Sequence, residues 1–166
     1  NVEIDPNMGS MRYSVPILAP TGRLGMAPEI GLSYSSSAPT GPLGVGWSMP
    51  RSSIERMTMR GVPRDDETDV FVADGGNELV RVSGSVDAGQ PAIYRTRFES
   101  GFSRFLWHDR DGGGGGYWEV QYADGRVGFF GADQSGQIDA DAIEAVSNQT
   151  FKYHLVEMVD EYGHSM

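Results

Sequence analysis

Three histidines, His108, His154 and His164, are the side chains best suited to proton transfer near neutral pH, and no cysteine accompanies them. They are dispersed, and no serine stands in a Gly-x-Ser-x-Gly elbow, so nucleophilic hydrolysis has no sequence signature. Zinc has no ligand pattern either, because such sites need His and Cys at short fixed spacings. Calcium comes closer. Asp133, Ser135 and Gly136 imitate the centre of a calcium loop, but Gly131 and Ala142 fall where the first and last carboxylates belong. Gly44-Val45-Gly46 begins a dinucleotide fingerprint that fails at Met49, where the third glycine should stand, and no Gly-Lys-Ser/Thr occurs. The carboxylates show no arrangement that marks a glycosidase pair. The expectation is a domain without catalytic residues, metal ligands or cofactor.

Something other than chemistry organises the chain. Between Pro20 and Met49 lies a stretch rich in glycine and proline, PTGRLGMAPEIGLSYSSSAPTGPLGVGWSM. Inside it Ile30, Leu32 and Tyr34 alternate with Gly31, Ser33 and Ser35, the period of a half-buried strand with one apolar face and one face of small side chains. Glycine loses the most backbone entropy on folding, so such a loop orders only around an anchor. Leu43, Val45 and Trp47, spaced by Gly44 and Gly46, supply one. The prediction is a strand, a wide turn and a return capped by a buried Trp47.

These residues carry a family resemblance. Pro16-Ile17, Pro20-Thr21-Gly22-Arg23-Leu24-Gly25-Met26-Ala27-Pro28, Leu32-Ser33-Tyr34-Ser35-Ser36 and Gly41-Pro42-Leu43-Gly44-Val45-Gly46-Trp47-Ser48 follow in order. The string resembles the N-terminal domain shared by the B component of bacterial insecticidal toxin complexes and Salmonella plasmid virulence protein B. Related RHS/YD-repeat shell proteins open similarly. The likeness is strongest over about residues 9–60 and continues more loosely to Asp160–His164. Its signature positions are Pro20, Gly22, Gly25, Pro28, Leu32, Tyr34, Gly41, Gly44, Gly46 and Trp47.

The resemblance implies a secreted, non-catalytic structural domain that begins a β-shell around a toxic C-terminal segment. Its implied partners are the rest of that shell, the toxic segment, and a pore-forming or C-type toxin-complex subunit. Toxins of this group often carry ADP-ribosyltransferase activity, and Ser35-Ser36-Ser37 imitates the Ser-Thr-Ser element of such enzymes. Those enzymes also need a Glu-x-Glu pair, and no two glutamates here are spaced by two. The alternative reading is an extracellular carbohydrate-binding or adhesion β-sandwich.

Composition agrees with one soluble β-rich domain over residues 1–166. A net charge of −10 with a single lysine, Lys152, disfavours nucleic acid, since phosphate contacts need clustered cations. No window approaches the length of apolar sequence that spans a bilayer. Alternating segments predict about ten strands in antiparallel hairpins, forming a sandwich or the start of a curved shell. The segment Met11–Pro20, where Tyr13, Val15 and Ile17 alternate with Arg12, Ser14 and Pro16, reads as an edge or bulged strand because Pro16 cannot donate a ladder hydrogen bond. A two-residue turn is expected at Asp124-Gly125, and one or two helical turns at Ala142–Asn148. The apolar run Phe151–Asp160 is expected to leave an open edge, so that the isolated chain self-associates.

Overall fold

The computed structural model describes residues 2–4, 9–20, 27, 30–41, 43–59, 61–63, 69–74, 76–84, 90–99, 101–110, 115–146 and 149–166. It is almost all antiparallel β-structure, 56% strand and 2% helix, as the alternation requires. By contact the chain divides into two compact units, residues 1–51 with Met166, and residues 52–165.

The first unit is a small sheet. Strands β1 (Val2–Ile4), β2 (Met11–Ile17), β3 (Ile30–Ser35) and β6 (Trp47–Ser48) lie in that order, and β4 (Thr40–Gly41) pairs with β5 (Gly44–Val45) as a separate ribbon. Residues Met11 to Tyr13 of β2 pair with β1, while its whole length pairs with β3. At Pro16, beyond the reach of β1, the strand has only one described neighbour, which suits a residue without an N–H.

The second unit is a closed barrel. Its strands are β7 (Ser53–Arg56), β8 (Phe71–Ala73), β9 (Asn77–Ser83), β10 (Ala92–Thr96), β11 (Arg104–Asp109), β12 (Gly116–Gln121), β13 (Val127–Phe130), β14 (Ile143–Val146) and β15 (Gln149–Val159). Hairpin pairing runs unbroken from β7 to β13, and β15 closes the ring by pairing with both β7 and β13. Eight strands therefore make the barrel, and β14 hangs from β15 outside it.

Period-two alternation fills the interior. Ile54, Phe71, Ala73, Leu79, Ala92, Tyr94, Phe105, Trp107, Trp118, Val120, Phe130 and Tyr153 all point into one core, and Trp118 and Tyr153 are fully buried. An eight-stranded barrel is just wide enough for side chains to fill it, and here aromatic rings do so. Trp118 sits 5.0 Å from Tyr94 and 5.2 Å from Trp107, which in turn lies 5.5 Å from Tyr153.

Several expectations change. The strand through Phe151–Asp160 is paired along its length rather than left as an open edge strand: its first half is flanked by β14 and β7, and its second half pairs with β13. This removes much of the physical basis for self-association at this strand, because its backbone groups pair with β7, β13 and β14 in closing the barrel. The turn after it also begins a return, since Val159 bridges Ser165. The expected helical turns over Ala142–Asn148 are instead strand β14, preceded by a short 3-10 turn at Ala140–Ala142 capped by the Asp139 carboxylate. Pairing with β15 outweighs a weak local preference there.

The hairpin at Asp124-Gly125 has a longer turn than expected. Gly125 N–H donates to Tyr122 O at 3.1 Å and Tyr122 N–H to Arg126 O at 2.9 Å, with Gly125 left-handed at φ 84°. This is a three-residue connection closed by a left-handed glycine. Finally, the strands number fifteen rather than about ten among the described residues, because the shortest are two or three residues long and carry no periodicity.

Candidate functional site

The signature stretch builds the first unit's most specific geometry. Tyr34 on β3 stands opposite Trp47 on β6, with ring centroids 5.3 Å apart and planes tilted by 54°. Ser35 N–H donates to Gly46 O at 2.9 Å, and Gly46 N–H donates to Pro39 O at 3.2 Å, so the wide turn returns as the alternation predicts. Gly46 is obligatory twice over. Its φ is 77°, and a Cβ there would lie 2.7 Å from both Ser35 O and Tyr34 Cε2. At Gly41 a Cβ would lie 2.5 Å from Trp47 O, whereas at Gly44 the space is open and the φ of 110° alone favours glycine.

Leu32 faces Val15 across β2, and Pro20 is exposed. The signature positions Gly22, Gly25 and Pro28 lie outside the described residues. Trp47 is half-buried rather than fully buried, because it sits on a two-residue strand at the sheet margin and covers Tyr34 alone among the aromatic rings described.

The small-residue face does more than allow close approach. Ser33 Oγ and Ser48 Oγ share a hydrogen bond at 2.8 Å, and Ser36 Oγ accepts the Met11 N–H at 2.9 Å. Ser35 Oγ and Ser37 Oγ lie 3.0 Å apart, so two hydroxyls of the serine triplet pair within the turn while Ser36 ties it to β2. A concavity of about 330 Å3 opens here, lined by Glu3, Arg12, Tyr13, Ser33, Tyr34 and Ser48 among others. A second, apolar groove of about 480 Å3 runs along Val15, Ile17, Ile30, Leu32 and Pro50.

In the barrel each histidine serves a carboxylate. His108 Nε2 lies 2.9 Å from Glu119 Oε2 across the β11–β12 pair, and its ring stacks on Tyr117 at 4.7 Å. The hydrogen bond with His108 holds the Glu119 carboxyl below its usual range, against the opposing effect of partial burial. His154 meets Glu144 at 2.6 Å, and His164 meets Asp160 at 3.0 Å within one turn. The three stand apart, His108 on β11, His154 on β15 and His164 in the turn that follows it, each beside its own acidic neighbour.

The calcium-like loop spends its carboxylate on a turn. Asp133 Oδ1 accepts from Ser135 Oγ at 2.6 Å, Ser135 N–H at 2.8 Å and Gln137 N–H at 3.0 Å, and the Ser135 bond leads the effects that lower its pKa. Among the described residues no group of three His, Asp or Glu side chains is placed to hold a metal ion.

One polar cluster escapes the reading of motifs. Arg56 points inward from β7, beside Ile54 in the alternation, and is 6% exposed. Its Nη1 meets Asp69 Oδ2 at 2.6 Å, its Nε donates to Thr150 O at 2.8 Å, and its guanidinium lies 4.8 Å over the Phe71 ring. An arginine at an inward strand position was the available signal, since a buried charge must find partners. Its partners are far away in sequence and could not be read.

Comparison with known proteins follows this geometry. Mono(ADP-ribosyl)transferase SpvB of Salmonella typhimurium is 29% identical over 148 residues, covering 79% of this chain and 24% of that protein. The chain thus spans about a quarter of the relative's length. The crystal structure of TcdB2-TccC3 superposes with a TM-score of 0.79 at 28% identity, covering 99% of this chain and 8% of that one. The N-terminal domain of effector protein SpvB from Salmonella typhimurium strain LT2 superposes at 0.69 and 27% identity, covering 88% and 50%. Residues 5–166 match the family described as Salmonella virulence plasmid 65kDa B protein, and with so much of its length covered the chain belongs to that SpvB family of toxin and virulence proteins.

Proposed function

We propose that this chain is a structural, non-catalytic β-unit of a secreted or delivered bacterial toxin, one part of a shell that contains a toxic C-terminal segment. The observation that carries the reading is its likeness over 99% of its length to 8% of TcdB2-TccC3. A segment that resembles one small part of a much larger protein is suited to building a wall. The barrel adds physical support, since its interior is packed with aromatic rings. On this reading residues 1–166 act as one architectural segment despite their two compact units. Its partners are the remaining shell, the toxic segment, and a pore-forming or C-type subunit.

Limited proteolysis of the full-length parent protein tests this. The C-terminal segment should resist digestion in the intact protein and become sensitive when residues 1–166 are deleted. Equal sensitivity in both would overturn the containment role.

A second reading rests on the concavity of about 330 Å3, where Tyr13 and Tyr34 meet serine hydroxyls, Arg12 and Glu3. Aromatic and hydroxyl groups together suit a sugar, so a glycan array is the discriminating experiment. Specific binding lost in Tyr34→Ala would favour the adhesion class.

A further inference from the structure

At one end of the barrel lies a cavity of about 110 Å3, separate from the signature sheet. Its lining combines the apolar side chains of Ile54, Ala73, Phe105 and Phe130 with the polar groups of Asp74, Asn77, Thr96, Ser103 and Tyr122. This volume is below the several hundred Å3 typical of sites for nucleotides or drug-sized molecules, and it suits the end of one side chain.

The cavity's mouth carries the carboxylate of Asp74, an exposed residue. Among the described residues no ion pair engages Asp74. Of the arginines near the lining in sequence, Arg95 is held by Glu99 at 2.7 Å, Arg97 by Glu78 at 3.1 Å and Arg126 by Asp124 at 2.6 Å, while Arg104, between the lining residues Ser103 and Phe105, acts on the Glu119 charge. Burial, reinforced by the Asp74 charge, pushes the Tyr122 phenol up to about 12, which keeps its hydroxyl protonated and neutral. Its oxygen and those of Thr96, Ser103 and Asn77 remain acceptors beside the carboxylate.

Backbone strain collects at the same place. Asp74 and Phe102 are the two described non-glycine residues with positive φ, at 43° and 52°. Asp74 lines the cavity, and Phe102 lies between the lining residues Gly101 and Ser103. A left-handed phenylalanine is rare and persists only where its surroundings enforce it. Its side chain is also 73% exposed, as is Phe98 at 83%, two residues beyond Thr96. Asp74 N–H donates to Ser53 O at 3.0 Å, so the carboxylate hangs from an anchored backbone.

We propose that this barrel-end cavity is a docking site for a lysine side chain of a partner polypeptide. The ammonium group would face the Asp74 carboxylate and the neighbouring hydroxyls, and its methylene stem would pass over exposed apolar surface. An ammonium has three donors and the cavity offers several separate oxygen acceptors, whereas the planar guanidinium of arginine prefers a flat two-pronged acceptor. Charge complementarity favours a basic partner in general, because the chain carries a net −10.

The test is an NMR titration of the 166-residue chain with acetyl-Gly-Lys-Gly-amide and its Arg and Glu counterparts. The lysine peptide should shift the amides of Asp74, Asn77, Thr96 and Ser103 together, and the glutamate peptide should shift none of them. Asp74→Asn keeps the side-chain shape, and asparagine tolerates a left-handed backbone, so the fold should survive. Binding should weaken by about tenfold or more, the scale of one charge-assisted hydrogen bond. Ser103→Ala serves as a second, milder variant, with weaker binding expected, should Asp74→Asn unfold. Shifts scattered over the acidic surface, affinity unchanged in the variant that folds, or tighter binding of the arginine peptide would each overturn the proposal.

Discussion

Phe71 and Trp118 meet across the barrel, with ring centroids 4.9 Å apart and planes at 70°. Phe71 stands on β8 and Trp118 on β12, four strands away in a ring of eight, so the pair joins opposite walls. Edge-to-face geometry at this distance lets the positive edge of one ring meet the negative face of the other.

Removing that ring should be costly. Trp118→Ala is expected to destabilise the barrel by about 3–5 kcal/mol, the range for deleting a buried large aromatic. Trp47→Ala should cost clearly less, because Trp47 is half-buried. Denaturant midpoints for the two variants check the ranking, and a larger loss at Trp47 would contradict it.

The Arg56–Asp69 pair should behave as a buried ion pair. Asp69→Ala alone strands the guanidinium and is expected to cost roughly 3–5 kcal/mol. Replacing both, as Arg56→Met with Asp69→Leu, should recover much of that loss. A double-mutant cycle measures the coupling, and additive single effects would show the contact to be incidental.

Gly46→Ala should disrupt the signature turn more than Gly44→Ala does. Both backbones are strained for alanine, by about 1–2 kcal/mol as a guide, but only Gly46 adds a collision with Ser35 O and Tyr34. Hydrogen exchange at the Ser35 amide, which bonds Gly46 O, reports the difference. Full protection retained in Gly46→Ala would mean the close approach relaxes without cost.

Acid should weaken the β11–β12 pair through Glu119. Its folded pKa lies below the ordinary carboxylate value, so the ionised form is favoured by folding. That stabilisation is fully present above the unfolded value and is lost as pH falls through the folded one. Glu119→Gln should therefore lower stability near neutral pH and flatten the acid limb of the stability curve. Urea midpoints measured from neutral to acid conditions decide it; parallel curves for the two proteins would remove His108 and Glu119 from the account.

Local pattern was enough for much of this molecule. Strict alternation in Tyr117–Gln121 marks inward and outward faces, because successive strand residues point to opposite sides of a sheet. Asp124-Gly125 marks a reversal, and Gly46 before Trp47 marks a close backbone approach, because those demands fall on single residues. Closure was not legible. Whether Leu155 meets solvent or Phe130 depends on a pairing between strands far apart in sequence, and no local signal encodes which edge finds which. The same holds for Arg56, whose identity announces a buried charge while Asp69 becomes its partner only when β7 pairs with β8, and Thr150 only when β7 meets β15. Asp74 is the clearest case. In sequence it is an ordinary turn residue, and only the barrel sets its carboxylate beside Tyr122 at the mouth of a cavity.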